Sequence, residues 1–527
     1  MMANEQADPS KRTRQESRTK SARHWPVIIL ITLLALAIRL AGLGSKDLWI
    51  DEADSLYFAS QSFTDILYRL CDPHPPGYYV VLNGFLSLGR NEFWVRLPSA
   101  IAGTLSIPLL YALSRELAAV FSQPWLDRRT GVLASLLLAV APLHVWYAQE
   151  ARMYALVTAL GICAVCFAVR VASRGRTRDA LGYVLFATFA LYVDQSSLLP
   201  LILANLLWGG VWLWTRSQGA RSSGWQVARW VGLQLVVGAA FWLWWSRAFF
   251  PERFDAGTFY QLTMLKLSLE RIGLSISLVE LRWALVIGAG LLLAIAALAS
   301  GWLIRHDWIR RLMPALVPGV LAVYVLITFL SAVPRLFTLK RLLLSLLPLG
   351  VLICAWAIRK LQLKRWQLSA LFAYSLVLCG VNVLWVPKEP WREVVAVIQR
   401  ELRPDDVLWV DELAVPAFDN YYGGSHERFV WRATRLYDLG RVTDVTQRDS
   451  VGQGRIWVVA LVDTYRNLLD YMPASWEPVW SADWHRVSVR AYTPPASEVT
   501  SRISSPDLPS WLLVWPSPVH EVCLEGE

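Results

Sequence analysis

The chain has 527 residues, of which 55% are hydrophobic and only 17% charged. An ordinary soluble domain carries about 25% charged residues, so this balance, with a mean hydropathy of +0.38, points to a polytopic membrane protein. A net charge of +10 would suit nucleic acid in a soluble protein; here the basic residues fall in short loops between apolar runs, so anionic lipid and the positive-inside rule account for them and nucleic acid is set aside.

Residues 1–24 are polar and basic, with Lys11, Arg12, Arg14, Arg18, Lys20 and Arg23, and are expected to form a disordered cytoplasmic tail. The apolar stretch that follows, 25–43, is long enough to cross a bilayer. A cleaved signal peptide usually has an apolar core of about 7–15 residues and a small-residue cleavage site; this stretch is longer and lacks the site, so it is read as an uncleaved first helix. Further apolar runs predict spans near 95–114, 131–143, 151–171, 180–193, 196–214, 229–247, 281–303, 313–332, 342–358 and 367–386, about eleven spans in all.

Arginines and lysines recur in every second loop: Arg128 and Arg129, Arg174 to Arg178, Arg216 and Arg221, Arg305 to Arg311, and Arg359 to Arg365. They share a side with the basic N-terminus, which makes that side cytoplasmic. The alternate loops carry Asp51, Glu52, Asp54, Asp72, Glu92, Glu150, Asp194, Glu252 and Asp255 and face outward. The 28 tryptophans suit the membrane–water interface. The six cysteines are scattered and form no disulfide framework. Cys163 and Cys166 have C-x-x-C spacing but lie inside an apolar run, where packing is the plainer reading.

The organisation expected is therefore an all-α polytopic membrane domain over 25–387, with a long first outward loop at 45–94. A C-terminal extracytoplasmic α/β domain over 388–500 follows, with helix-like and strand-like pieces at 391–401, 407–410, 456–461 and 486–492. Residues 501–527 form a proline-broken irregular tail. No internal repeat and no Gly-rich phosphate loop is present.

Three constellations carry chemistry. In the first outward loop, Leu48-Trp49-Ile50-Asp51-Glu52 places two carboxylates where lipid meets water. Adjacent residues point in different directions on a helix or a strand, so one can be the base while the other orients it or binds a hydroxyl; a hydrated acidic loop is the alternative. The same loop holds Asp72-Pro73-His74-Pro75-Pro76-Gly77-Tyr78-Tyr79, where prolines present His74 at a rigid turn. The segments between are expected to lie flat on the membrane as amphipathic helices.

The second constellation is 144–154, a tight outward turn after Pro142. If it is helical, Tyr147, Glu150 and Tyr154 share a face and Arg152 points elsewhere; a local ion pair capping a helix is the alternative. The third is 334–341, where Arg335, Lys340 and Arg341 break the positive-inside trend. A charge at bilayer depth costs about 2.5–3.5 kcal/mol, and an anion such as phosphate would offset it; snorkelling to headgroups is the alternative. No His/Cys cluster has metal-ligand spacing, so no metal ligand is assigned. The carboxylates with His74 leave a divalent metal open, and no other cofactor is implied.

These residues together resemble bacterial membrane glycosyltransferases of the GT-C class, in the branch of protein O-mannosyltransferases and lipid A aminoarabinose transferases. The matching segments are 48–52, 72–79, Glu92-Phe93-Trp94-Val95-Arg96-Leu97-Pro98-Ser99, 146–154, and the entry to the outer domain at Lys388-Glu389-Pro390-Trp391-Arg392. The chain departs from the usual pattern at Tyr192-Val193-Asp194-Gln195, where many relatives place a His, and at Lys340-Arg341, where an Arg-Tyr pair is usual.

The resemblance implies a polyprenyl-phosphate-linked sugar donor, an acceptor hydroxyl on a protein, glycolipid or glycan, and transfer at the outer face of the bacterial cytoplasmic membrane with inversion. It makes Asp51 the catalytic base and Glu52 the second member of the pair. His74, Tyr78, Tyr147, Glu150, Arg152 and Asp194 would frame the substrate cavity, and Arg335, Lys340 or Arg341 would meet the donor phosphate. The rival class is a lipid-linked sugar flippase or transporter, which accounts for the spans but not for the long acidic loop.

Overall fold

The computed structural model describes residues 25–68, 74–121, 127–219, 224–248, 337–360, 365–384, 386–426, 428–431, 454–463, 466–467, 469, 472 and 476–493. The basic tail 1–24, the runs near 281–303 and 313–332, Arg335 and the tail 501–527 lie outside the described residues. Lys340 and Arg341 fall early in helix Phe337–Lys360, with side chains outside the description.

The described chain is mostly helical. In order come α1 Trp25–Leu40, α2 Ile50–Ala59, α3 Phe63–Tyr68, α4 Gly77–Leu86, α5 Glu92–Phe121, α6 Arg128–Ala139, α7 Pro142–Ala148 and α8 Tyr154–Arg174. They are followed by α9 Thr177–Val193, α10 Leu198–Ser217, α11 Gly224–Ala248, α12 Phe337–Lys360 and α13 Arg365–Leu384. Among the described residues four helical segments are long and apolar enough to cross a bilayer, those containing α5, α8, α10 and α13, or five if the bent pair α6 and α7 is one span. Shorter apolar helices occupy Trp25–Leu40 and Leu344–Arg359. At 30 residues, α5 is about 45 Å long at the usual rise of 1.5 Å per residue. The centre of the bundle is α8, whose small residues let α5, α9 and α10 pack around it. Cys163 and Cys166 are buried on this helix.

The run expected as one span near 131–143 is broken. α6 and α7 meet at a 57° bend. Pro142 opens α7, where its missing N–H costs nothing, but it cannot donate back to α6. The carbonyls left at the end of α6 are met by a buried arginine from α1. Arg39 donates to Ala139 O at 3.1 Å and Leu138 O at 3.5 Å, and also to Ala35 O at 2.9 Å and His144 Nδ1 at 2.7 Å. His144 is therefore a buried helix residue rather than part of an outward turn.

Gly103 on α5 makes room for this joint, since a Cβ there would stand 2.5 Å from Ala148 Cβ and 3.2 Å from Arg39 Nε. Gly103→Ala is expected to cost about 1–3 kcal/mol by overpacking, seen as a lower thermal midpoint of the detergent-solubilised protein. The double variant Gly103→Ala/Ala148→Gly should recover most of the loss. No recovery would mean that the joint is not what the glycine accommodates.

The segment 45–94 is largely helical. α4 does not lie flat on lipid: Tyr78, Tyr79 and Leu82 are fully buried, and α4 packs on α5 and on the end of α9. The close approach depends on Gly77, whose Cβ would stand 2.5 Å from Tyr192 O. This contact brings the His74 turn beside Asp194.

After α13 the chain forms α14 Trp391–Glu401, α15 Val415–Tyr421 and strands β1 Val407–Asp411, β2 Arg428–Trp431, β3 Ile456–Asp463, β4 Arg466–Asn467, β5 Pro478–Trp484 and β6 Val487–Tyr492. The sheet order is β2-β1-β3-β6-β5, with β4 on β3. β1 runs parallel to β2 and β3, and β6 runs antiparallel to β3 and β5. Trp391, Val394, Val395 and Ile398 make the buried stripe of α14. This unit is fastened to the start of α2 and α5: Tyr421 accepts from Leu48 N at 2.8 Å and donates to Glu92 at 2.8 Å, while Arg392 pairs with Asp47 at 2.8 Å and with Glu92.

Candidate active site

Trp49 is the N-cap of α2, and Asp51 and Glu52 fall in its first turn, where the helix dipole favours negative charge. Neighbouring helix residues point about 100° apart, and the two carboxylates accordingly separate. Glu52 turns inward and is fully buried. Its Oε1 accepts from Arg96 Nε at 2.7 Å and Ala151 N at 2.9 Å, and its Oε2 from Arg96 Nη2 at 2.7 Å and Lys388 Nζ at 2.8 Å. The Arg96 fork also donates to Leu43 O, Lys46 O and Asp47 O. One carboxylate thus ties together α2, α5, the turn before α8 and the entry to the β-sheet unit. Burial by itself would push the Glu52 carboxyl up, but Arg96 and Lys388 outweigh it and hold the group down to about 2.

Asp51 turns the other way and keeps 29% of its side chain exposed. Arg152 lies across it, with Nε 3.9 Å from Asp51 Oδ2. Arg152 Nη1 donates to Asp51 O at 2.9 Å and Ser55 Oγ at 3.2 Å, and Nη2 donates to His74 Nε2 at 2.8 Å. An acceptor role for Nε2 leaves the His74 proton on Nδ1, which faces Asp194 Oδ2 at 3.6 Å. The result is a connected polar chain, Asp51–Arg152–His74–Asp194. Asp194 is itself fixed as the cap of the short turn 195–197, accepting from Ser196 N at 2.8 Å.

Tyr78 stands behind this chain. Its hydroxyl donates to Ser99 Oγ at 3.0 Å, and Ser99 donates to Arg152 O at 2.9 Å. Burial pushes the Tyr78 phenol up, so it stays a neutral donor that fixes the Arg152 backbone. Tyr147 and Tyr154 do not share one helix, because α7 ends at Ala148 and α8 begins at Tyr154. Their rings still meet edge to face at 5.1 Å. Glu150 is 3% exposed and lines a hollow with Arg96 and Lys388 on the Glu52 side.

Four of the candidate residues, Asp51, His74, Arg152 and Asp194, therefore converge, with Tyr78 supporting them. Arg96, Ser55, Ser99 and Lys388 are site residues the sequence reading does not single out; Arg96, Ser99 and Lys388 carry a signal, since all three sit in motifs that support the family resemblance. Among the described residues no group of three or more His, Cys, Asp or Glu is placed to hold a metal ion. Chemically, the arrangement offers an accessible carboxylate that can accept a proton and a guanidinium–imidazole pair able to face an anion.

Residues 73–245 match the family model described as dolichyl-phosphate-mannose-protein mannosyltransferase. The resemblance to GT-C glycosyltransferases is borne out over that region. Among solved structures the chain is similar to ArnT from Cupriavidus metallidurans in the apo state, at 18% identity over 90% of this chain and 99% of that one, with a TM-score of 0.45. It is likewise similar to that protein bound to undecaprenyl phosphate, at 17% identity over 88% and 97%, with a TM-score of 0.44. No curated protein matches closely enough to count as a relative.

Proposed function

We propose that the protein transfers a sugar from a polyprenyl-phosphate-linked donor to an acceptor hydroxyl at the extracytoplasmic face of the bacterial cytoplasmic membrane. About eleven spans would carry the chain across, with the N-terminus cytoplasmic and the sheet-bearing unit outside as an α/β domain. The observation that carries the reading is the split of the carboxylate pair: Glu52 is consumed by Arg96 and Lys388, while Asp51 keeps solvent contact beside Arg152 and His74.

In this reading Asp51 takes the proton of the acceptor hydroxyl as that oxygen forms a bond to the anomeric carbon. The bond from that carbon to the phosphate oxygen breaks, its electron pair stays on the departing lipid phosphate, and the anomeric centre inverts. A positioned base contributes typically about 10²–10⁴-fold. Charge grows on the phosphate, where Arg152, with Arg335, Lys340 and Arg341 from the segment before and at the start of α12, would offset it. His74 and Asp194 hold Arg152 in place, and Tyr78 and Ser99 fix its backbone. The family model's own description names a lipid-phosphate sugar donor, which supports this donor class.

The test is incubation of the full chain in lipid nanodiscs with labelled polyprenyl-phosphate sugars or with labelled nucleotide sugars, each beside a membrane extract. The expected result is release of polyprenyl phosphate and labelled product from the lipid-linked donors only. Use of nucleotide sugars, or retention of lipid-linked sugar with no product, would contradict the reading.

A further inference from the structure

Beside the Arg96 and Lys388 that hold Glu52 lies a polar hollow, lined among others by Lys46, Arg96, Trp146, Glu150, Asn382 and Lys388. Its volume at water centres is about 30 Å3, more than one water needs. Asn382 belongs to α13, whose buried residues are Ser375, Cys379 and Asn382. It is 3% exposed, yet neither its Nδ2 nor its Oδ1 has a hydrogen-bond partner. Polar side chains between spans ordinarily serve as interhelical glue, but an amide with both ends unpaired is not glue, and burying it so is destabilising.

The charges around it are unbalanced. Lys46, Arg96 and Lys388 stand against the two carboxylates Glu52 and Glu150. Lys46 donates to Val386 O at 2.7 Å and Asn382 O at 3.2 Å, so one of its three N–H groups remains. Lys388 spends one on Glu52. Burial first, then Lys388 and Arg96 nearby, push the Lys46 ammonium down to about 8. The wall beside them is apolar, with Leu43, Trp146 and Val383 in the lining.

We propose that this hollow binds the phosphate of a bilayer phospholipid headgroup, held by Lys46, Lys388 and the Asn382 amide while the acyl chains run down the outside of α13. The ligand chemistry is a phosphodiester on an apolar tail. The site is independent of the role given to Asp51 and is read without turnover.

The test is native mass spectrometry of the full-length protein after exposure to phosphatidylglycerol, diacylglycerol or inorganic phosphate. Phosphatidylglycerol should be retained, and diacylglycerol and inorganic phosphate should not. Lys46→Gln and Asn382→Asp should each cut that retention at least tenfold. For the wild type, retention should fall as pH rises from 7 to 9.5 through loss of the Lys46 proton, and Lys46→Gln should flatten the profile. Lys46 is half-buried in a loop, so its variant is expected to fold and decides the matter even if Asn382→Asp does not. Equal retention by wild type and Lys46→Gln at every pH would overturn the proposal and leave the hollow to water.

Discussion

Glu52→Gln should collapse the fold rather than merely slow the chemistry. The substitution leaves Arg96, Lys388 and the Ala151 amide facing a neutral group in a fully buried place. Breaking one partner of a buried ion pair costs about 3–5 kcal/mol, because the remaining charge is left uncompensated. The loss should appear as a sharp fall in the thermal midpoint of the detergent-solubilised protein. Because Arg96 also holds the carbonyls of Leu43, Lys46 and Asp47, the start of α2 should loosen with it. The double variant Glu52→Gln/Arg96→Met should be less damaged than the sum of its parts, since the orphaned guanidinium is removed. A midpoint equal to wild type for Glu52→Gln would show that the carboxylate is dispensable to the fold.

The same pair sets a pH dependence. The Glu52 carboxyl is held below its ordinary value of 4.5, at about 2 in the folded protein. Its contribution to stability is therefore fully present above 4.5 and is lost as pH falls from there towards 2. A depression of that size is worth about 3 kcal/mol. Acid unfolding of the wild type should steepen across this window, and Glu52→Gln should lose that component while keeping any other acid sensitivity.

Much of the site was legible because its parts are short, chemically distinctive motifs. The acidic pair, the proline-framed His74, the Arg152 turn and Asp194 could each be read one by one, and the structure brings all four together. The opposite orientation of Asp51 and Glu52 was also readable, since adjacent side chains on a regular element diverge. Which of them is solvated was not, because that depends on Lys388, 336 residues away. The sequence suggests a tight turn after Pro142; in the structure Pro142 begins α7, and the joint is completed by Arg39 from α1, a contact across 100 residues that no local pattern announces. The spacing puts Tyr147, Glu150 and Tyr154 on one face only if 144–154 is one helix; a break at 149–153 separates them, and the Tyr147–Tyr154 ring contact arises through packing.

Asp51→Asn keeps the shape of the side chain and removes only its ability to take a proton. Its charge meets Arg152 only at 3.9 Å, and the shorter contacts that hold Arg152 are to the Asp51 carbonyl, Ser55 and His74, while α2 is anchored through Glu52. The variant should therefore fold as the wild type does, with its thermal midpoint unchanged, and should bind the lipid-linked donor equally well. Transfer should fall by about 10²–10⁴-fold, the usual contribution of a positioned base. The decisive measurement is donor binding and sugar transfer for wild type and Asp51→Asn side by side, with one labelled polyprenyl-phosphate sugar that the wild type consumes. Retained binding with transfer lost is the predicted result; equal transfer rates would contradict the central claim that Asp51 is the base.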